Sequence, residues 1–442
     1  MQCKARSTVS LTVGAMAVVL TLCSSLLAQL ELPADARSVV VPVERAVVSR
    51  ALLDAASGLS FVKVRIGGRE LSLILDTGAG VCVLDYEIAK ALELQQTGRI
   101  NALGSGGTVA SPTFTIGELE VPTESGQNLR ARNVTAIGLD LKGLRHTAGR
   151  QVDGILGSQV FAQTPFTLDL GQLRLLIHRA DSFTAPEGVS EHPLIFALGV
   201  PCLRLQFAGL RPRWYTVDSG NAGTLLFHGP LVERVLGREE FEKLPATNSK
   251  AIGERASKVY FAKLAQFELG AIQLRDLPVG LCDPEQPGLG ANRSISGNIG
   301  SGLIARARWT FDYANSRCWI EAPTPRSVDA GPTVVEPSLG LHFREWRGRW
   351  VVGAVLDGSP ASEAGIEPWD ELVEIDGSAA PLAPDELVQR LRACSHSKQS
   401  FDVLRRPFAK AGKQAEASLV QLQARAWLKE VVLDEGRVRK NK

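Results

Sequence analysis

Ser72-Leu73-Ile74-Leu75-Asp76-Thr77-Gly78-Ala79 carries an apolar strand into an acidic residue and a glycine turn, and the chain uses the device again as Asp218-Ser219-Gly220, 142 residues on. Working outward, Leu156-Gly157-Ser158 continuing to Phe166-Thr167-Leu168-Asp169 returns as Ile299-Gly300-Ser301 continuing to Trp309-Thr310-Phe311-Asp312. Arg132-Asn133-Val134 returns as Arg275-Asp276-Leu277, and both of these matches keep an offset of 143 residues. A repeat of this kind decides the architecture before any local reading does. Phe114-Thr115-Ile116-Gly117 and Phe267-Glu268-Leu269-Gly270 stand 153 apart, so an indel falls in the loop around Pro122 to Ala131, where changes of length cost little.

Within each copy the apolar residues alternate. Val62, Val64 and Ile66 lead through Gly67-Gly68 to Leu71, Leu73 and Leu75, while Leu203, Leu205 and Phe207 lead through Gly209 to Trp214 and Val217. Period-two patterning around glycine turns predicts β-hairpins, each ending on its acidic residue. Either triplet alone is a weak signal; the same place in a repeated unit makes the pair a strong one.

On these residues the chain resembles the aspartic peptidases of the retropepsin-like and pepsin-like families, over roughly residues 51 to 323, and residues 72 to 79 are similar to the retroviral form of the motif. The resemblance implies a mainly β fold of two duplicated acid-protease lobes, 51–182 and 190–323, each giving one aspartate, Asp76 and Asp218, to a shared cleft. It also implies that Thr77, Gly78, Ser219 and Gly220 support the two active-site loops, the hydroxyls tying them together across a pseudo-twofold axis. Ile155-Leu156-Gly157 matches the supporting hydrophobic-hydrophobic-Gly segment, and Gly104-Ser105-Gly106-Gly107 looks like the tip of a flap over substrate. The chemistry needs such a pair. One carboxylate must take a proton from water while a carboxylic acid polarises the scissile carbonyl, and like charges about 3 Å apart cannot both ionise. The implied activity is that of an aspartic-type endopeptidase on peptide or protein substrates, without metal or organic cofactor. The alternative is a peptide-binding scaffold that keeps the fold without turnover and works through its C-terminal domain.

Two departures from the family pattern stand out: Asn298 occupies an apolar position of the second supporting segment, and Asn221 follows the second triplet where a small or hydroxyl residue is usual. The second hairpin tip, near Ile252-Gly253-Glu254, is not glycine-rich, and neither tip carries a tyrosine. No P-loop, G-x-S-x-G elbow or H-E-x-x-H motif occurs, and the six histidines show no metal-ligand spacing.

A proline-rich stretch at 324–338 reads as a linker to a further domain, 339–428. There Gly358-Ser359-Pro360-Ala361-Ser362-Glu363-Ala364-Gly365-Ile366 followed by Asp370-Glu371-Leu372-Val373-Glu374-Ile375-Asp376-Gly377 resembles bacterial PDZ domains. That resemblance implies an α+β domain taking a C-terminal peptide as an added strand, with Leu339-Gly340-Leu341 as the carboxylate-binding loop and Asp385 to Arg392 as the flanking helix. Residues 429–442 read as a basic tail.

Lys4 and Arg6 precede an apolar run from Leu11 to Leu27, which predicts a signal peptide over 1–28, with an uncleaved membrane anchor as the alternative. The expectation is an exported protein, periplasmic or extracellular, touching a membrane only if that segment stays attached. A net charge of +2 on 442 residues gives no footprint for nucleic acid. Beyond the leader, Cys82, Cys202, Cys282, Cys318 and Cys394 make an odd set from which no disulfide framework can be read.

Overall fold

A computed structural model describes residues 38–44, 46–54, 58–104, 107–148, 150–207, 209–249, 257–285, 288–322, 339–346, 349–356, 358–375, 377–379, 400–407, 417–423 and 428–434. The expected leader, the linker, the helix at Asp385 to Arg392, Cys394 and the residues from Arg437 onward lie outside them. The described chain is mainly β, with short helices between strands.

The first expected hairpin is formed by Leu59–Ile66 and Arg69–Asp76, paired antiparallel with Ile66 opposite Arg69. Gly67 and Gly68 close it at φ of 57° and 78°, two successive left-handed residues in the turn whose twist suits a two-residue β-hairpin. Leu71 through Asp76 are buried without interruption, because this strand is covered on both faces.

Its further neighbour explains the glycine-containing segment that follows much later in the chain. Gly154–Gly157 lies parallel to it, Leu73 opposite Gly154 and Asp76 opposite Gly157, and pairs antiparallel on its other edge with Cys82–Asp85. The second half builds the same ladder. Arg213–Asp218 runs parallel to Gly297–Gly300, Asp218 opposite Gly300, and Leu225–Phe227 closes the other edge. Slotting a late strand between two earlier ones brings backbones very close. A Cβ on Gly154 would stand 2.3 Å from the Val83 carbonyl oxygen, and one on Gly300 would stand 2.1 Å from that of Gly223. Only glycine fits either place.

Between the halves runs an antiparallel sheet, in the order Val47–Arg50, Arg174–Ile177, Phe166–Asp169, Arg308–Asp312, Arg317–Glu321 and Glu191–Pro193 among the described residues. At its middle Thr167 faces Thr310, its own counterpart in the repeat, and their hydroxyls meet at 2.8 Å. Phe166, Phe311 and Tyr313 pack there with ring centroids 5.0 to 5.6 Å apart, offset and edge-on contacts worth about 0.5–1.5 kcal/mol each beyond area burial. This sheet positions the two acidic turns against each other.

Gln95–Gly104 and Gly107–Val121 form a long hairpin, with Gly104 opposite Gly107 at its tip. Ala102, with Ile100 and Val109, packs in the same apolar cluster as Ala79 and Ala222, the residues just beyond the two triplets. The hairpin therefore reaches toward both turns.

The C-terminal unit is a separate sheet of Leu341–Trp346, Arg349–Val355, Glu371–Ile375, Ser400–Arg406 and Ser418–Gln423, with Ser378–Ala379 at its side. The short helix Pro360–Glu363 is capped by Ser359, whose hydroxyl accepts the Ser362 N–H at 3.2 Å. Its core gathers Leu339, Leu341, Trp350, Val352, Ile366, Leu372, Val403 and Leu422.

Within the stretch 429–442 that reads as a basic tail, the residues up to 434 pack on the second half: Lys263 and Glu430 form a parallel bridge, the Lys263 N–H donates to the Lys429 carbonyl at 3.0 Å, and the Val431 N–H donates back to the Lys263 carbonyl at 3.0 Å. Val431 and Leu433 enter the main core at 4% exposure each, while Val432 between them is 60% exposed. The alternation belongs to an extended segment bridged to Ser257–Leu269 at Lys263, and its two apolar side chains anchor it. Leu356 and Leu428 also pack against Leu226, Val259, Phe261 and Cys282 of the second half.

Candidate active site

Each acidic residue ends a buried strand, and the turn after it is fixed by backbone amides. The Gly78 N–H donates to Asp76 Oδ1 at 2.8 Å, and the Gly220 N–H donates to Asp218 Oδ1 at 2.9 Å. Asp76 is 1% exposed and Asp218 is 0% exposed, a degree of burial that carboxyls rarely reach. They face each other across the two halves. The Asp76 carboxyl lies against Gly220 so closely that a Cβ there would stand 2.3 Å from its Cγ. Burial raises the Asp76 proton affinity well above the ordinary carboxylate range, and the charge of Asp218 and hydrogen-bond contact with it raise it further, outweighing the amides of Gly78 and Ala79.

The hydroxyls of the two triplets knit the turns reciprocally. Thr77 Oγ1 donates to the Val217 carbonyl at 2.8 Å and accepts the Ser219 N–H at 3.0 Å; Ser219 Oγ donates to the Leu75 carbonyl at 2.7 Å and accepts the Thr77 N–H at 3.0 Å. These four buried bonds leave no backbone group orphaned at the junction, where each would otherwise cost about 1–3 kcal/mol. A second reciprocal pair lies one step out. Ser158 Oγ donates to the Gly199 carbonyl at 2.7 Å, and Ser301 Oγ donates to that of Gly58 at 2.8 Å. These serines belong to the repeated Gly-Ser pairs, so the repeat itself carried the signal for them.

The sequence reading did not foresee what the two asparagines do. Asn221 Oδ1 accepts the Gly223 N–H at 2.9 Å, Asn221 Nδ2 donates to Asn298 Oδ1 at 2.6 Å, and Asn298 Nδ2 donates to Asp218 Oδ2 at 2.5 Å. Both asparagines are buried, at 0% and 2% exposure. The corresponding places in the first half are Ala79 and Ile155, apolar residues, and Asp76 Oδ2 is buried without a hydrogen-bond donor among the described residues. The two departures from the family pattern are thus joined to each other and to one carboxyl.

Of the expected flap, Gly104 and Gly107 stand at the hairpin tip, Gly107 at φ 109°, and Ser105 and Gly106 lie outside the described residues. Ile252-Gly253-Glu254 lies outside them too. In the C-terminal unit the side chains of Leu339 and Leu341 are core, at 0% and 1% exposure, with Gly340 at φ 69° between them. Any ligand contact by this segment would come from its backbone. The Gly340 carbonyl already accepts the Leu356 N–H, and the Leu339 carbonyl accepts that of Ala361.

Cys82, Cys202, Cys282 and Cys318 are free, buried thiols, each made harder to ionise by burial. His228 is buried with Nδ1 at 3.0 Å from the Ile295 carbonyl, and burial pulls it down to about 4, the behaviour of a neutral structural imidazole.

Residues 62–160 match the aspartyl protease family model, which supports a peptidase. No curated protein matches the sequence. Among solved structures, the chain is similar to the crystal structure of Basic 7S globulin from soybean, at 11% identity and a TM-score of 0.39, over 63% of this chain and 95% of that one. The aspartyl protease match spans Asp76 and its supporting strand Gly154–Gly157, and it ends before Asp218.

Proposed function

We propose that the protein is a single-chain, aspartic-type endopeptidase in which Asp76 and Asp218 activate one water between two duplicated acid-protease lobes. The observation that carries this is the meeting of two buried carboxyls at equivalent points of the same strand ladder. Such a pair holds one proton between two groups at ordinary pH. The ionised carboxylate removes a proton from water as its oxygen attacks the peptide carbonyl, and the protonated carboxyl gives its proton to the carbonyl oxygen. Collapse of the tetrahedral species returns the acid and base and releases the amine. Neither step requires a metal. The long hairpin ending at Gly104 and Gly107 acts as the flap, and its residues 104–107 contact substrate.

The C-terminal unit acts in this reading as a PDZ domain that binds a peptide or a protein C-terminus through the backbone of Leu339-Gly340-Leu341, and the chain is exported. The test is degradation of an unstructured protein such as casein across pH 3 to 8. The wild type cleaves it, and Asp76→Asn, which preserves shape and removes the shared proton, lowers the rate at least about 100-fold. Cleavage retained by that variant would overturn the reading.

A further inference from the structure

We infer that the two asparagines make the aspartate pair inherently asymmetric: Asn298, oriented by Asn221, places the negative charge of the pair on Asp218 and leaves the proton on Asp76. The inference rests on the peptidase reading above and assigns the roles within it, Asp218 as base and Asp76 as acid.

The polarity of the relay is set by a group that cannot reverse its role. A backbone N–H can only donate, so Gly223 fixes Asn221 Oδ1 as its acceptor and turns Asn221 Nδ2 toward Asn298. That amide in turn fixes Asn298 Oδ1 as acceptor, and Nδ2 is left to donate to Asp218 Oδ2. The other Asp218 oxygen, Oδ1, already accepts two backbone N–H groups, from Gly220 at 2.9 Å and Asn221 at 3.1 Å. Three donors thus converge on one carboxyl, all requiring lone pairs, and hydrogen bonds to the charged form favour that form. Asp76 has no such set. The amides of Gly78 and Ala79 act on it as those of Gly220 and Asn221 act on Asp218, but its Oδ2 meets no donor among the described residues, and alanine and isoleucine stand where the asparagines stand in the other half.

Among the described residues, Asp218 is met by Asp76 from the first turn, Asn298 from Gly297–Gly300 and Asn221 from its own turn, and of these three Asp76 is the one that titrates. Tyr313, on the sheet between the halves, also lies in the field of Asp76, and burial raises its phenol well above the ordinary range, so that it stays protonated. Burial and the Asp218 charge, which hold the Asp76 proton, act in the same direction as the relay. Asn298 is therefore a positioning residue that works through Asp218.

The experiment is a titration of the purified full chain labelled at the aspartate carboxyl carbon, followed by carbon NMR, with the two resonances assigned from Asp76→Asn and Asp218→Asn. In the wild type Asp218 carries the lower ionisation step and Asp76 the upper. Asn298→Leu, similar in size and without a donor, raises the lower step by about one to two pH units, and the acid limb of casein cleavage moves with it. Asn221→Ala, which keeps the Asn298 amide but frees its orientation, shifts the same step less and carries the test if Asn298→Leu fails to fold. Asp76 ionising first, or a lower step unmoved in a folded variant, would overturn the inference. A wild type that titrates in the expected order but cleaves nothing would instead overturn the peptidase reading. One that cleaves through both aspartates with the acid limb unmoved would leave that reading standing and sink this one.

Discussion

Burial and the charge of a second carboxyl raise the proton affinity of Asp76 well above the ordinary carboxylate range, with a consequence for stability as well as for chemistry. A carboxyl whose affinity is raised in the folded state favours folding at low pH. Its contribution is lost as pH rises from the ordinary carboxylate value, about 4, through the raised one. Asp76→Asn abolishes that titration, so the variant melts several degrees above the wild type near pH 7 and the difference shrinks toward pH 3. A thermal melt followed across that range checks it, and a pH-independent difference would count against the buried, shared proton. At this scale the sequence disclosed the two aspartates and their hydroxyl neighbours through the repeat. It gave no route to the role of Asn221 and Asn298, because an amide in an apolar position reads as a defect until its partner, 77 residues away, is seen beside it.

The strand ladder that presents the carboxyls depends on backbone proximity more than on any side chain. Gly300→Ala would place a methyl group 2.1 Å from the Gly223 carbonyl oxygen and 2.7 Å from that of Asn221, both backbone atoms that cannot step aside. The expected cost is about 4 kcal/mol or more, in the class of severe overpacking, and it shows as loss of soluble protein or a collapsed melting temperature. Gly143, exposed in the helix Lys142–Ala148 with open space beyond its Cα, is the control: Gly143→Ala is neutral or stabilising by up to about 1 kcal/mol. Hairpins were legible because alternation and paired glycines specify them locally. The insertion of Gly154–Gly157 between earlier strands was not, since pairing across more than 70 residues leaves no periodic trace; only the resemblance pointed to it.

Across the whole molecule, the C-terminal unit is tied to the second half by an extended segment that follows it. Val431 and Leu433 sit in the main core, and the Leu433 carbonyl lies over Gly209, where a Cβ would stand 2.4 Å away. Leu433→Ala is therefore expected to destabilise the unit by about 2–5 kcal/mol, although the residue lies beyond the C-terminal sheet in sequence. A lowered melting temperature with casein cleavage intact at low temperature is the expected pattern, and an unchanged melt would show the contact to be dispensable. Three alternating residues between charged flanks are too few to announce a packed segment, so the sequence did not disclose this contact. In the proposed enzyme one chain supplies both carboxyls of a single site. The most direct test is the rate of casein cleavage by Asp218→Asn. Loss of at least about 100-fold, matching Asp76→Asn, is what a dyad within one chain predicts. A variant that keeps near wild-type turnover would contradict it and point to a site built from Asp76 alone.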